Sequence, residues 1–148
     1  MDCKIVTVER QLTAVVKAKV PFAEIPRAQR AARASIEAGL PSLDTGALGL
    51  TCTRWLPPQG GALEMEMGTI VARPIAARGD IVPSELPAGR AVHSVMVGPF
   101  DGMGAAWQTL FEWCQAEKLQ PAGINWEVYG PTPSDPAKQE TYLYALLA

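Results

Sequence analysis

Alternating hydrophobic and polar residues predict that most of the chain is β-strand. Successive side chains of a strand point to opposite faces, so a period of two residues indicates a strand with one buried face. This period, with many β-branched and aromatic residues, predicts strands over residues 3–20, 49–55, 62–72, 89–98, 123–130 and 140–147. Arg10 and Gln11 interrupt the first segment and predict a bulge or kink there.

Two segments have the 3.6-residue period of a helix. The first runs from Glu24 to Ala38, with Pro26 in its first turn and Gly39 after its end. The second runs from Asp101, a good N-cap residue, to Leu119. Its wide apolar stripe predicts a well buried helix, formed by Met103, Ala106, Trp107, Leu110, Trp113 and Cys114.

Three arginines recur along one face of the first predicted helix: Arg27, Arg30 and Arg33. Such a row can bind phosphates, but on an alanine-rich helix of an acidic protein it is typical of a solvated face. We therefore interpret these arginines as surface residues.

The same order of elements, strand, helix, strand and strand, occurs twice. The turn Val20-Pro21-Phe22 before the first helix matches Gly98-Pro99-Phe100 before the second, and residues 49–55 match residues 123–129. These matches predict one domain over residues 1–148, with repeat one at about 1–73, repeat two at about 89–148 and a linking segment between them. The predicted fold class is α+β: a duplicated βαββ unit whose antiparallel sheet carries two helices on one face and a ligand groove on the other.

The candidate chemistry lies in the strand between Gly123 and Gly130. Alternation places Ile124, Trp126 and Val128 on one face and Asn125, Glu127 and Tyr129 on the other. The repeat aligns Trp55 with Tyr129, which puts both rings on the face of the carboxylate. A carboxylate among aromatic rings suits an organic cation, because charge attraction and ring quadrupoles act together.

Composition narrows the possible functions. The net charge of −2 argues against extensive nucleic-acid binding. Residues 1–78 carry ten Lys or Arg against seven Asp or Glu, and residues 79–148 carry three against eight, so the half with Glu127 is acidic. Three separate cysteines and no signal-peptide pattern predict a cytoplasmic protein, and no segment is apolar enough to predict a membrane span. One histidine, His93, and no phosphate-binding loop predict no metal and no cofactor.

The chain resembles the GyrI-like (gyrase-inhibitor-like) family of small-molecule-binding domains, which also form the effector-binding module of AraC-type and MerR-type multidrug regulators of transcription. The residues that carry the resemblance extend over nearly the whole chain: Leu86-Pro87-Ala88-Gly89-Arg90, Gly98-Pro99-Phe100, Trp113, Trp126-Glu127-Val128-Tyr129, Glu140-Thr141-Tyr142-Leu143-Tyr144 and, in the first half, Glu64–Gly68.

The resemblance implies the duplicated fold and a groove for amphipathic, often cationic, organic molecules. It places the binding glutamate at Glu127, aromatic neighbours at Tyr129 and Tyr142, and Phe100 at the groove mouth. One departure is Met96, where the family often has a histidine. No helix-turn-helix fits before residue 3, so we expect a stand-alone binding module with no direct nucleic-acid binding.

Three functions follow from this resemblance. The first is a sensor or sequestering protein that binds a small hydrophobic or cationic aromatic ligand around Glu127, Tyr129, Tyr142, Trp55 and Phe100. The second is a hydrolase of small reactive electrophiles, with Glu127 and either Tyr129 or Tyr142 as the catalytic groups. The third is a protein-interaction module of the gyrase-inhibitor type, with a protein partner. We favour binding over enzyme activity.

Overall fold

Eight strands and two helices make up the computed structural model, which describes residues 1–148. The strands are β1 (Cys3–Val8), β2 (Gln11–Pro21), β3 (Leu48–Trp55), β4 (Ala62–Val71), β5 (Ile81–Leu86), β6 (Gly89–Val97), β7 (Pro121–Tyr129) and β8 (Glu140–Leu147). The helices are α1 (Ile25–Gly39) and α2 (Met103–Ala116). The predicted α+β class is confirmed. Both helices fall short of the length and apolar character that a membrane span requires.

All eight strands form one antiparallel sheet in the order β1-β6-β8-β7-β3-β4-β2-β5. One half of the sheet contains β2, β3 and β4, which flank α1 in sequence. The other half contains β6, β7 and β8, which flank α2. The two remaining strands are exchanged between the halves, since β1 pairs with β6 and β5 pairs with β2.

The exchange forces the sheet to curl. Five strands separate β1 from β2 in the sheet, yet only Glu9 and Arg10 connect them in sequence. In a flat sheet the two strands would lie about 29 Å apart, whereas three consecutive Cα–Cα steps reach at most about 11 Å. Pro87 and Ala88 connect β5 to β6 under the same constraint. The two edges of the sheet are therefore drawn toward each other.

The curled sheet buries its own side chains on the face opposite the helices, here called the back face. Leu86 at one edge packs in the same cluster as Ala91 from near the other edge, together with Trp126 from the centre. Separate apolar clusters lie under the two helices. Ile36 of α1 packs on Ala14, Val71, Ile75 and Ile81, and Ala106, Leu110 and Cys114 of α2 pack on Val92, Met96, Leu143 and Ala145.

Three local predictions differ from the structure. The segment 3–20 is two strands, because β1 and β2 pair at opposite sides of the sheet. The segment predicted as a link between the repeats contains β5, an edge strand that tolerates Pro83 because an edge strand leaves some of its N–H groups unpaired. Asp101 does not cap α2. It lies in a 3-10 turn, and Gly102 precedes the helix without a side-chain cap.

Candidate functional site

A cavity lies over the centre of the sheet because neither helix covers it. Helix α1 packs over β2 and β4, and α2 packs over β6 and β8. The central pair β3 and β7 remains between the helices. In this pair Thr53 and Glu127 lie directly opposite each other, and Glu127 lines the cavity whereas Thr53 is buried beside it.

The cavity has a volume of about 470 Å³, within the range of small-molecule sites. The residues that line it come from both halves of the chain: Ile25, Gln29, Arg33, Thr51, Trp55, Met67, Phe100, Met103, Glu127, Tyr129, Gly130, Thr132 and Gln139. It opens on the helix side of the sheet, so the prediction of a groove on the opposite face is wrong. On the back face the curl buries much of the protein's own apolar surface, and the cavity found there, beside Leu86, Trp126 and Tyr144, is smaller, about 270 Å³, and does not contain Glu127.

Glu127 is 3% exposed and is held by two neutral donors. The indole nitrogen Nε1 of Trp107, on α2, donates to Oε2 at 2.7 Å. The hydroxyl of Tyr129 donates to Oε1 at 2.8 Å. The Thr53 hydroxyl lies 2.7 Å from the same phenol oxygen. Because the phenol has one proton and gives it to Glu127, Thr53 donates its own to Tyr129.

Burial raises the pKa of the Glu127 carboxyl above its ordinary value, because the carboxylate loses its hydration. The hydrogen bonds from Trp107 and Tyr129, and a smaller contribution from the neighbouring Trp55, lower this pKa and do not cancel the effect of burial. Burial and the neighbouring charge of Glu127 also raise the pKa of Tyr129 well above its usual range. The tyrosine is therefore a proton donor to the carboxylate at neutral pH.

Four of the five predicted site residues line this cavity: Glu127, Tyr129, Trp55 and Phe100. Phe100 is 53% exposed and meets the Tyr129 ring edge to face, with the ring centroids 5.7 Å apart. Tyr142 does not line the cavity. It is opposite Val128 in the β7–β8 pair, so its ring lies on the back face and packs on the apolar cluster there. The prediction that Tyr142 neighbours Glu127 is therefore wrong.

Two residues, one beside the carboxylate and one in the cavity wall, were assigned other roles from the sequence. Trp107 was placed in the apolar stripe of the second helix, yet its indole N–H donates to Glu127. A buried indole N–H needs an acceptor, and this requirement is the signal that could have linked Trp107 to the carboxylate. Arg33 was placed on a solvated face, yet it lines the cavity with Gln29. The row of arginines gave no sign that only one of the three would reach the cavity.

His93 and the cysteines lie away from the cavity. His93 Nδ1 is 2.9 Å from the carbonyl oxygen of Leu143, and its ring stacks on Tyr144 with the centroids 4.4 Å apart. Burial lowers its pKa, so the ring is neutral at pH 7. No group of three or more His, Cys, Asp or Glu side chains is arranged to hold a metal ion.

Comparison with solved structures shows the same fold in several proteins of low sequence identity. The EcmrR C-terminal domain superimposes with a TM-score of 0.79 and 16% identity over 99% of this chain and 97% of that one. The chain spans 57% of the EcmrR chain in a complex with DNA. SAV2435 bound to tetraphenylphosphonium gives a TM-score of 0.75 and 11% identity over 100% of this chain and 94% of that one. A hydrolase from Listeria innocua superimposes with a TM-score of 0.58 and 13% identity over 99% of this chain and 91% of that one.

No curated protein matches the sequence. The family profile described as the GyrI-like small molecule binding domain matches residues 1–146, nearly the whole chain. The residues that line the cavity between the two helices all lie within the matched range. The resemblance to the GyrI-like family that was inferred from the sequence is confirmed. The chain belongs to the GyrI-like family of small-molecule-binding domains.

Proposed function

We propose that this domain binds amphipathic organic cations with aromatic groups and acts as a sensor or sequestering protein. The observation that carries the proposal is the environment of Glu127. This buried carboxylate lines the cavity, and no Lys, Arg or His nitrogen lies within 4.0 Å of it. Its two hydrogen-bond partners are neutral.

A buried carboxylate without a counter-ion is costly, and a bound cation would supply the missing charge. The cavity wall also offers aromatic surfaces from Trp55, Tyr129 and Phe100, which attract a cation through the ring quadrupole. Met67 and Met103 add flexible apolar contacts that adapt to ligands of different shape. The combination suits a hydrophobic cation better than a strongly hydrated one.

One relative supports this class of ligand, and another supports a role as a sensor. SAV2435 is described in complex with tetraphenylphosphonium, a lipophilic cation, and EcmrR is described in complex with DNA. By analogy, this domain would report the presence of such a ligand to a partner, or lower its free concentration.

Titration calorimetry with tetraphenylphosphonium at pH 8 tests the proposal. We expect binding to the wild type and at least a tenfold weaker affinity for Glu127→Gln, about the contribution of one charge-assisted contact. The matched control is Glu117→Gln, which removes an exposed carboxylate just after α2 and should leave the affinity unchanged. Equal affinities for the wild type and Glu127→Gln would refute the role of the carboxylate.

A hydrolase function is the second candidate, supported by the contact between Glu127 and the Tyr129 hydroxyl inside the cavity. These two groups could position a water molecule and move a proton. Tyr142 has no part in such a reaction, since it lies on the back face. Mass spectrometry would detect addition of water to a small electrophile, and turnover that persists in Glu127→Gln would exclude this mechanism. The protein-interaction function stays a prediction from sequence resemblance.

A further inference from the structure

The two helices present different side chains to the centre of the sheet, although they occupy equivalent positions. Aligned at their first residues, Ile25 and Met103, the helices place Gln29 at the position of Trp107 and Arg33 at the position of Phe111. On α2 the rings of Trp107 and Phe111 stack with their centroids 5.6 Å apart and pack against the apolar cluster under the helix. On α1 the equivalent residues are polar, and both line the cavity.

Because of this difference the cavity extends toward α1 and has polar residues there as well as at Glu127. The α2 side is closed by the Trp107 indole, which reaches Glu127. The α1 side stays open because Gln29 is smaller than tryptophan and Arg33 is exposed. Thr53, the buried residue opposite Glu127 on β3, is uncharged, so it does not neutralise the carboxylate. The cavity therefore runs from a carboxylate at its centre to a guanidinium at its α1 wall.

Neither polar group on α1 has a partner within the protein. Arg33 makes no ion pair within 4.0 Å, whereas Arg27 on the same helix is paired with Glu24 at 3.3 Å. A guanidinium offers five N–H donors in a planar fork that matches a carboxylate. The Gln29 amide adds two more donors next to it. These are the donors that an anionic or carbonyl group of a ligand would require.

We propose that Arg33 and Gln29 form an acceptor-binding subsite, so that the preferred ligands are aromatic zwitterions in which a cationic group faces Glu127 and a carboxylate faces Arg33. This inference rests on the proposed function and specifies its ligand class. A cation alone meets attraction from Glu127 and repulsion from Arg33 in the same cavity. A zwitterion satisfies both charges, and its net charge of zero matches that of the site.

A pair of quinolinium ligands tests the inference: 1-(4-carboxybenzyl)quinolinium and its methyl ester, which differ in the negative charge and in one methyl group. Calorimetry at pH 8 and about 0.15 M salt, where exposed charges beyond about 8 Å are screened, gives both affinities. We expect the wild type to bind the carboxylate about three- to fivefold more tightly, the size of an ion pair to an exposed arginine. Arg33→Gln should bind both ligands equally.

Arg30→Gln is the control, because it removes the same charge from an exposed position on the same helix that does not line the cavity. It should keep the wild-type preference. Glu127→Gln should weaken the binding of both ligands and keep the preference for the carboxylate over the ester. Equal affinities for the two ligands in the wild type, or a preference unchanged by Arg33→Gln, would overturn the subsite while leaving the proposed function intact. Binding of neither quinolinium to the wild type would overturn both.

Discussion

Glu66 and Glu127 are both buried carboxylates near the middle of the sheet, 2% and 3% exposed, and they differ in their partners. Glu66 lies on the back face. Its Oε2 is 2.8 Å from Arg54 Nη2 and 3.9 Å from Lys17 Nζ, and the Ser84 hydroxyl donates to Oε1. Glu127 lies on the helix side and accepts hydrogen bonds from neutral groups only.

The difference separates a structural carboxylate from one available to a ligand. The charge of Glu66 is compensated by cations of the protein itself, so a ligand would have nothing to add. The charge of Glu127 is oriented by Trp107 and Tyr129 but is not neutralised, and the cavity provides the space for a counter-ion. Burial alone therefore does not identify a binding carboxylate. The proposal for Glu127 rests on burial without an opposite charge, next to an open volume.

The largest expected effect is on stability, at Glu66. Glu66→Ala leaves the largely buried Arg54 without its counter-charge and should lower the free energy of unfolding by about 3 kcal/mol. Urea denaturation at pH 7 measures this fall in the free energy of unfolding. Glu64→Ala, on the same strand and without an ion pair, should change the free energy of unfolding by no more than about 0.5 kcal/mol. A loss for Glu66→Ala no greater than that of Glu64→Ala would remove the structural role assigned to Glu66.

A smaller effect concerns the pH dependence of binding at Glu127. Burial raises the pKa of the empty site, and a bound cation lowers it again, so binding releases a proton. The affinity for tetraphenylphosphonium should therefore fall as the pH is lowered through the raised pKa, by up to about tenfold per pH unit below it. Calorimetry between pH 4.5 and 8 measures this fall. For Glu127→Gln the affinity should not depend on pH in this range, and a wild-type affinity that rises in acid would contradict the assignment.

The smallest effect is expected from the phenol that orients the carboxylate. Tyr129→Phe removes the hydrogen bond to Oε1, so the pKa of Glu127 should rise further and the acid loss of cation affinity should begin at a higher pH. The free energy of unfolding should fall by about 1 kcal/mol. Tyr142→Phe makes the same chemical change on the back face and should leave the midpoint of the pH profile unchanged. Identical profiles for the two variants would argue against the role of Tyr129.

Alternation along β7 was sufficient to predict which side chains share a face. Glu127 and Tyr129 line the cavity while Trp126 and Val128 pack on the back face, as the two-residue period requires. The error at Tyr142 has a physical cause. Its strand alternates equally well, but the face that it shares with β7 depends on which residues pair, and pairing is decided by the whole sheet.

The side of the sheet on which the cavity opens could not be predicted for a similar reason. The linking segment contains β5, whose six residues include Pro83 and carry a weak strand pattern. Without β5, the exchange of strands and the resulting curl were not visible, and the back face was expected to be open. The contact between Arg54, Glu66 and Ser84 was missed with it, because Ser84 lies on β5.

The exchanged strands also determine when the chain can finish folding as it leaves the ribosome. Cys3 must wait for Ser94 to be synthesised before it can pair, and Gln11 must wait for Leu86. Until then a nascent polypeptide that already contains α1 has exposed strand edges, which can associate with other unfinished chains. Contacts between residues so distant in sequence also slow folding. Chaperones that hold incomplete β-sheets are therefore expected to matter more for this domain than for a helical protein of equal length.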